Sequence, residues 1–500
     1  MFFLGLIKSE KAAAFLKILG VLMLCFSIVS GCSSDGKPVK TASSVEDPVS
    51  IQVQGVANQA LLDNIYAHLA STPVISKKKA RLYRQEILDK ITVASHSFGY
   101  YHPTATFNFP ARDSDSKVIE VKVDPGKALF IRDCQIEIIG EGAMYYSFQD
   151  IIRESGITSY SMLNHGKYEK LKEDLKTRAL SLGFFDARIV SSTILVYQEQ
   201  NAADIILIYD TGRRYRFGQM VMNDETREIM TPSQPLVNFQ EGDYFSSSVL
   251  GSFSSSLSST GYYRSIDVSA AVEGRKDGFV PVKVDLGKKP KNMYRLGVGF
   301  SSDEGPRGIL GWDKPYINSS GHSFASHIRS SAVKNVARIM YKIPRDNPNL
   351  DYFYFNIAQS RIDLRDTLSD VSHISFHYVN NTHKLLRLDT YVAAEYEDYE
   401  QADEKGHAFN AMLGLQLAMR STTGGLYPRA GYSLVWDNRL ATRALSDSNF
   451  WLTELVFKAL ISPTENTRFI YKFMQGATVG SDSYHVPPSM RFFIGGERTI

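Results

Sequence analysis

Cysteine and tryptophan are scarce in this chain, with three of each among 500 residues. So few cysteines exclude a framework of disulfide bonds. Basic and acidic residues nearly balance, 56 against 53, and no basic stripe alternates with aromatic residues, which argues against nucleic-acid binding. The sequence also lacks a Gly-x-Ser-x-Gly elbow and a phosphate-binding Gly-Lys-Ser/Thr loop. We therefore expect no enzyme activity, no cofactor and no bound nucleic acid.

Long apolar runs are absent after residue 32, so any later membrane crossing would be made of β-strands. The apolar run 18–29 follows a lysine-bearing segment and precedes two small residues. This pattern predicts a secretory signal peptide over residues 1–32. A retained membrane anchor is the alternative, and the short length of the run disfavours it.

Residues 29–32, Val-Ser-Gly-Cys, resemble a bacterial lipobox, in which Cys32 would receive a lipid. Ordinary cleavage nearby, with Cys32 incidental, is the alternative. Residues 33–48 are rich in Ser, Lys, Asp and Pro, which predicts a flexible tether. If Cys32 carries a lipid, Cys134 has no partner in the mature chain.

One motif recurs three times: a glycine followed by two aromatic residues, then two alternating segments that end in Asp-x-Gly. The copies begin at Gly99-Tyr100-Tyr101, Gly183-Phe184-Phe185 and Gly261-Tyr262-Tyr263. They start 84 and 78 residues apart, and 25, 27 and 24 residues separate each leading glycine from its aspartate. Such a period indicates stacked copies of one small structural unit.

Each copy combines alternation with helical spacing, which predicts the order β-α-α-β-β. The predicted units cover residues 49–126, 127–212 and 213–289. The third copy gives a clear signal for only one helix, 245–259. The predicted strands are 51–56, 104–109, 118–123, 131–139, 188–197, 204–209, 215–222, 266–272 and 280–284, and the predicted helices are 60–69, 79–97, 148–155, 167–182 and 245–259.

Two of these helices rest on particular residues. The apolar side of the helix 79–97 is predicted to consist of Leu82, Ile87, Ile91 and Val93. The serine-rich stretch 246–259 has the composition of a linker. We predict a helix there instead, because helical spacing is kept by Phe245, Val249, Leu250, Phe253 and Leu257.

After residue 290 the chain consists of long alternating segments. In the first of them one face is apolar and carries Tyr294, Leu296, Val298 and Phe300, while Gly297 and Gly299 lie on the other face. Residues 386–397 and 409–418 alternate in the same way. Their lengths suit strands that cross a bilayer with lipid on one side and water on the other. We predict eleven or twelve strands of a transmembrane antiparallel β-barrel over residues 292–500.

The β-α-α-β-β order with its Gly-aromatic-aromatic corner resembles the polypeptide-transport-associated (POTRA) domain. Three such units ahead of a membrane β-barrel resemble the TamA-like translocation and assembly module subunits of the outer-membrane assembly-factor superfamily. The segment 427–432 looks like a Pro-x-x-Gly motif of that superfamily. The segment 491–500 looks like the stretch before its Arg-Gly-aromatic loop and contains Phe493, Gly495, Gly496 and Arg498.

The resemblance implies a location in the bacterial outer membrane, with the POTRA domains in the periplasm. It also implies that the Arg-Gly-aromatic loop would follow Ile500 and fold into the lumen, and that further strands would close the barrel. We therefore expect this chain to be a fragment of a longer protein, with its barrel incomplete.

The function implied by the resemblance is the insertion or secretion of outer-membrane β-barrel proteins such as autotransporters. A seam beside the first barrel strand, 293–302, would template client strands. Gly297 and Gly299 would loosen this strand, or would simply allow close packing on the lumen side. The implied partners are outer-membrane lipid, unfolded clients, and an elongated inner-membrane TamB-like protein that binds the first POTRA unit.

Other functions and sites are disfavoured. A two-partner-type secretion channel usually has two POTRA units and a plug helix, and three folded units argue against a passive porin. His373 and His377 share a strand face about 13 Å apart, too far to share a metal, and His322 and His327 fall on opposite faces. The remaining candidates are carboxylates, which we predict to form a solvated lumen lining: Asp389, Glu395 and Glu397.

Overall fold

The computed structural model describes residues 48–111, 116–302, 304–364, 367–383, 385–401, 404–423, 427–480 and 486–492. Two compact units divide the chain within the second repeat. One contains the first repeat together with residues 158–166 and 195–204, and the other contains residues 134–157, 167–194 and the chain from 205 onward. Within the described residues, no helix combines the length and apolarity needed to cross a membrane.

The first repeat folds as a four-stranded sheet in the order β2-β1-β4-β3, covered by two helices. Strand β1 runs parallel to β4, with Ile51 opposite Ile119, and β3 runs antiparallel to β4. The elements are β1 (Pro48–Gln54), α1 (Gln59–Leu69), β2 (Ile75–Ser76), α2 (Arg84–His96), β3 (Thr104–Asn108) and β4 (Val118–Asp124).

Two of the four residues predicted for the apolar side of the second helix are buried, and the other two are exposed. Ile87 and Ile91 are fully buried in the core of the repeat. Leu82 is 79% exposed because it lies in a 3₁₀ segment, 77–83, whose residues do not continue the phase of α2. Val93 is 56% exposed because two residues beyond Ile91 a helix has turned by about 200°, toward solvent.

The second and third repeats each contain a three-stranded sheet, in the orders β5-β7-β6 and β8-β10-β9. The elements of the second repeat are β5 (Phe130–Ile139), α3 (Tyr146–Ser155), α4 (His165–Leu182), β6 (Arg188–Tyr197) and β7 (Ala202–Asp210). Those of the third are β8 (Arg216–Val221), α5 (Asp224–Met230), α6 (Ser247–Thr260), β9 (Tyr263–Ala270) and β10 (Phe279–Lys288).

The serine-rich stretch is a helix, as predicted. Leu250, Phe253 and Leu257 on α6 are buried in the core of the third repeat. The short helix α5 had no clear signal in the sequence, although Asn223 caps it by accepting a hydrogen bond from the Thr226 amide.

In the described residues from 293 onward, eleven strands form one antiparallel sheet, and each strand pairs with the next in the sequence. This count agrees with the predicted eleven or twelve. They are β11 (Met293–Ser301), β12 (Gly305–Lys314), β13 (Ser323–Ser331), β14 (Lys334–Pro344), β15 (Asp351–Leu364), β16 (Thr367–His383), β17 (Leu386–Gln401), β18 (Glu404–Thr423), β19 (Ala430–Ala441), β20 (Phe450–Thr464) and β21 (Thr467–Val479).

The two faces of this sheet differ as the alternation predicts. We call the face that carries Val298, Ile374 and Leu413 the outer face, since these apolar side chains are exposed there. The inner face carries Met412 and three carboxylates of β17, Asp389, Glu395 and Glu397. Those carboxylates are not a solvated lining, because Asp389, Glu395 and Glu397 are all buried and hydrogen-bonded.

Candidate strand-docking edge and module junctions

Strand β11 is an edge of the large sheet in the described part of the chain. It pairs with β12 from Met293 opposite Asp313 to Ser301 opposite Gly305, and its other side meets no strand of that part. Its outer side chains are strongly exposed: Tyr294, Leu296, Val298 and Phe300 at 71%, 85%, 90% and 75%. An edge with free backbone groups and an apolar face can pair with another strand.

The two glycines of β11 have ordinary strand backbones, so neither is required by a left-handed conformation. A Cβ added to Gly299 would lie 3.1 Å from Nε of Arg307, whose side chain crosses over the glycine. A Cβ added to Gly297 would make an ordinary 3.8 Å contact with Ile309. A Cβ at Gly299 would require a small shift of the flexible Arg307 side chain, and both the loosening of the strand and the close packing at Gly297 and Gly299 stay predictions.

The three corner glycines all have positive φ, +81° at Gly99, +88° at Gly183 and +74° at Gly261. Glycine is favoured at such helix ends because other residues are strained there. At the first two corners a second constraint applies. A Cβ on Gly99 would lie 2.4 Å from the carbonyl oxygen of Leu163, and one on Gly183 would lie 2.8 Å from Cβ of Phe245. The corner motif therefore also packs each repeat against the next.

The first corner carries hydrogen bonds between repeats. The amide of Leu129 donates to the Gly99 carbonyl at 2.9 Å, and the amide of His165 donates to the Ser97 carbonyl at 2.9 Å. Half-buried Tyr100 forms an isolated β-bridge with Ala128. Backbone bonds of this kind fix direction as well as distance, so they hold residues 158–166 against the first repeat within one compact unit.

The second corner joins the repeats through Phe184 and Asp186. Phe184 is fully buried in the second repeat. Asp186 accepts a hydrogen bond from the Tyr215 hydroxyl at 2.8 Å and from the Arg275 guanidinium at 2.9 and 3.1 Å. Burial acts to raise the pKa of the Asp186 carboxyl, but these two donors hold it below its usual value.

Arg214 reinforces the same junction. Its guanidinium donates to the Leu182 carbonyl at 2.8 Å, the Tyr145 hydroxyl at 3.0 Å and the Phe245 carbonyl at 3.1 Å. Three directed bonds from one planar group lock the geometry between the second and third repeats. No motif in the sequence pointed to this residue.

The third corner meets the large sheet. The buried Tyr262 hydroxyl donates to the Gly321 carbonyl, in the turn between β12 and β13, at 2.8 Å. Burial raises the pKa of Tyr262, so the hydroxyl keeps its proton. Asn349, in the next turn on the same side, donates to the Ser256 carbonyl at 2.8 Å. The third repeat is thus bonded to two turns of the sheet.

The segment 486–492 lies against the inner face. The Ser489 hydroxyl donates to Glu395 at 2.7 Å, and the Ser489 amide lies 3.2 Å from both carboxylate oxygens of Glu397. Val486 and Met490 pack in an apolar cluster with strand residues of the sheet. Residues 486–492 thus pack on the inner face, whereas the folding of the predicted loop into the lumen stays a prediction.

The prediction for His373 and His377 requires a correction. The 13 Å estimate applies to their backbones, but their Nε2 atoms each lie 3.0 Å from the hydroxyl of Ser375 between them. Their Nδ1 atoms face Glu395 at 3.1 Å and Asp389 at 2.9 Å. The Ser375 hydroxyl therefore bridges the two imidazole rings. In the part of the chain that the structure describes, no three His, Cys, Asp or Glu side chains form a metal-holding group.

Several predicted residues lie outside the described residues. They are the lipid acceptor Cys32 and the residues of the motif before the loop, Phe493, Gly495, Gly496 and Arg498. The predicted signal peptide and nearly all of the tether lie outside them as well.

Family models match two of the repeats. The model of POTRA domain 1 of TamA covers residues 50–125. A POTRA model described as a surface antigen variable number repeat covers residues 135–211. Both ranges fall within the first two predicted units.

Among curated proteins, outer membrane protein assembly factor BamA of Neisseria meningitidis serogroup B is 24% identical over 165 residues, which are 30% of this chain and 20% of BamA. The match thus spans about a fifth of that relative. A crystal structure of BamA from Haemophilus ducreyi lacking POTRA domains 1–3 has a TM-score of 0.56 at 15% identity and covers 74% of each chain. CdiB from Acinetobacter baumannii has a TM-score of 0.38 at 14% identity and covers 88% of this chain and 81% of CdiB.

The repeats, the sheet and these matches define the class. The first two repeats match POTRA family models, and the fold of the chain is similar to that of BamA, a POTRA and β-barrel protein. The predicted resemblance and the predicted fold class are confirmed, and the BamA relatives that the chain resembles are outer-membrane proteins.

Proposed function

We propose that this protein assembles or secretes outer-membrane proteins by offering β11 as a template for client strands. The observation that carries the proposal is the geometry of β11, a strand with an exposed apolar face that pairs with β12 alone among the described strands. A client strand that pairs with it satisfies backbone groups that hydrocarbon cannot solvate.

The POTRA domains deliver clients to this edge. Four residues separate β10 from β11, and the third repeat is bonded to the turns at 316–322 and 345–350. We further propose that the first repeat binds an elongated inner-membrane TamB-like partner and that autotransporters are among the clients.

Disulfide trapping tests the template. The protein carries Val298→Cys in a background with Cys32 and Cys134 replaced by serine, and an autotransporter β-domain carries single cysteines at consecutive positions of an edge strand. Cross-links are expected at every second client position, because a shift of one residue turns the side chain to the other face.

Ile374→Cys is the matched control. Ile374 is also an exposed outer residue, at 53%, but its strand β16 is paired on both sides. Equal cross-linking of Val298→Cys and Ile374→Cys would refute templating at β11. A client that appears in the medium without inserting would favour the second candidate, a two-partner-type secretion channel.

A further inference from the structure

A cavity of about 620 Å³ lies at the end of the inner face that is nearest the third repeat. Thr260 and Gly261, at the end of α6, border it. Its other walls come from the ends of strands, and the apolar ones are Met293, Pro315, Ala325, Met340 and Tyr352. We call it the mouth cavity. Its volume lies within the range of about 300–1,000 Å³ that is usual for small-ligand sites.

One of the three basic groups in the mouth cavity is already neutralised. Arg295 donates to Oδ2 of Asp313 through Nε at 3.2 Å and Nη2 at 2.9 Å. This two-point pairing with a carboxylate leaves Arg295 little attraction for another anion.

Lys342 has only neutral partners among the contacts that the structure gives it. Its Nζ donates to the Pro348 carbonyl at 2.8 Å and lies 4.0 Å from the centre of the Tyr352 ring. An ammonium group has three donors. A carbonyl and an aromatic face use part of that capacity but supply no full negative charge.

Arg387 is also poorly compensated. Its Nη2 lies 3.6 Å from Oδ2 of Asp389, longer than a hydrogen bond, and in the described structure its buried Nε has no hydrogen-bond partner. Asp389 is already engaged, since it accepts from the Tyr354 hydroxyl at 3.2 Å and lies 2.9 Å from Nδ1 of His377. The Arg387 side chain as a whole is 42% exposed, so in the described structure only its Nε donor is buried without an acceptor. A buried donor of this kind is costly.

We propose that the mouth cavity binds a single-chain amphiphile whose head is a carboxylate or a phosphate. The head pairs with Arg387, whose fork of donors matches either anion, and Lys342 adds a second positive charge. The chain lies along the apolar wall. This binding does not depend on the templating role of β11.

Calorimetric titration of the whole chain tests this proposal in nanodiscs of zwitterionic phosphatidylcholine. The probes are octanoate, octyl phosphate and uncharged octanamide, which share a chain and differ in the head. Both anions are expected to bind at least tenfold more tightly than octanamide. A preference for octanoate points to fatty acids as the source, and a preference for octyl phosphate points to phosphate-headed lipids.

Arg387→Met and Lys342→Met are each expected to weaken anion binding at least tenfold and to leave octanamide binding unchanged. Both keep an apolar wall and remove a like charge, so folding, followed by heat-dependent electrophoretic mobility, is retained. Arg429→Met is the control, because Arg429 pairs with Glu465 at 2.8 Å outside the cavity. Equal binding of octanoate and octanamide by the parent, or unchanged anion binding by both cavity variants, overturns the proposal.

Discussion

Alanine substitutions at Gly183 and Gly261 separate the two constraints on the corner glycines, which are the positive φ and the close packing against the next repeat. Both glycines have positive φ, so alanine is strained at either position by about 1–2 kcal/mol. A stiffer unfolded chain offsets about 0.4–1 kcal/mol of this. At Gly261 an added Cβ meets nothing within 4 Å, so Gly261→Ala should cost only about 1 kcal/mol, by the same balance.

Gly183→Ala should cost more, because its Cβ would lie 2.8 Å from Cβ of Phe245 in the next repeat. Crowding a packed site adds about 1–3 kcal/mol, which brings the total to about 2–4 kcal/mol. Gly251→Ala is the control. Gly251 lies within α6 with open space beside it, so alanine there should stabilise by about 0.5–1 kcal/mol.

Hydrogen exchange followed by mass spectrometry on the whole chain in detergent measures these costs locally. Protection of the α6 amides should fall about fivefold in Gly261→Ala, and protection of the α4 amides should fall by thirtyfold or more in Gly183→Ala, by about tenfold for each 1.4 kcal/mol. Equal losses at both corners would refute the claim that the second corner is a contact between repeats.

Three other predictions concern single contacts. Hydrogen-bond donors hold the pKa of Asp186 in the folded protein below its value in the unfolded chain. The stability that Asp186 adds to the folded protein is therefore present above about pH 4 and is lost as the pH falls through the folded pKa. Asp186→Asn should remove this acid sensitivity, measured as hydrogen exchange at the junction. Tyr262→Phe leaves the Gly321 carbonyl without its donor and should weaken protection of the turn 316–322 by about 1–3 kcal/mol. Ser489→Ala loses a bond to a buried carboxylate, about 1.5–3 kcal/mol, and should expose residues 486–492 to limited proteolysis, whereas unchanged cleavage would contradict the contact.

Most of the fold could be predicted from the period of the repeats and from the alternation of apolar and polar residues. The alternation of β11 and β18 placed Val298 outside and Met412 inside, because a strand sends successive side chains to opposite faces. The repeat length identified α6 despite its serine content. These signals are local, so one sequence suffices to read them.

Contacts between distant segments could not be read in this way. The error at Leu82 arose because a 3₁₀ segment interrupts the helical phase. The separation of His373 and His377 was overestimated because backbone spacing does not determine the orientation of their side chains. Arg214 has no local signature at all, since its three acceptors come from residues 31 to 69 positions away in the sequence.

The central claim is that the outer face of the eleven-stranded sheet contacts lipid. Spin labels at Leu296, Val298 and Leu413, in the whole chain reconstituted into bilayers, test it through collision rates with oxygen and with a water-soluble nickel complex. The account predicts that oxygen collides far more often than nickel at all three positions, and that Met412, on the inner face, is reached poorly by both. Frequent collision of the nickel complex with the three outer positions would contradict it.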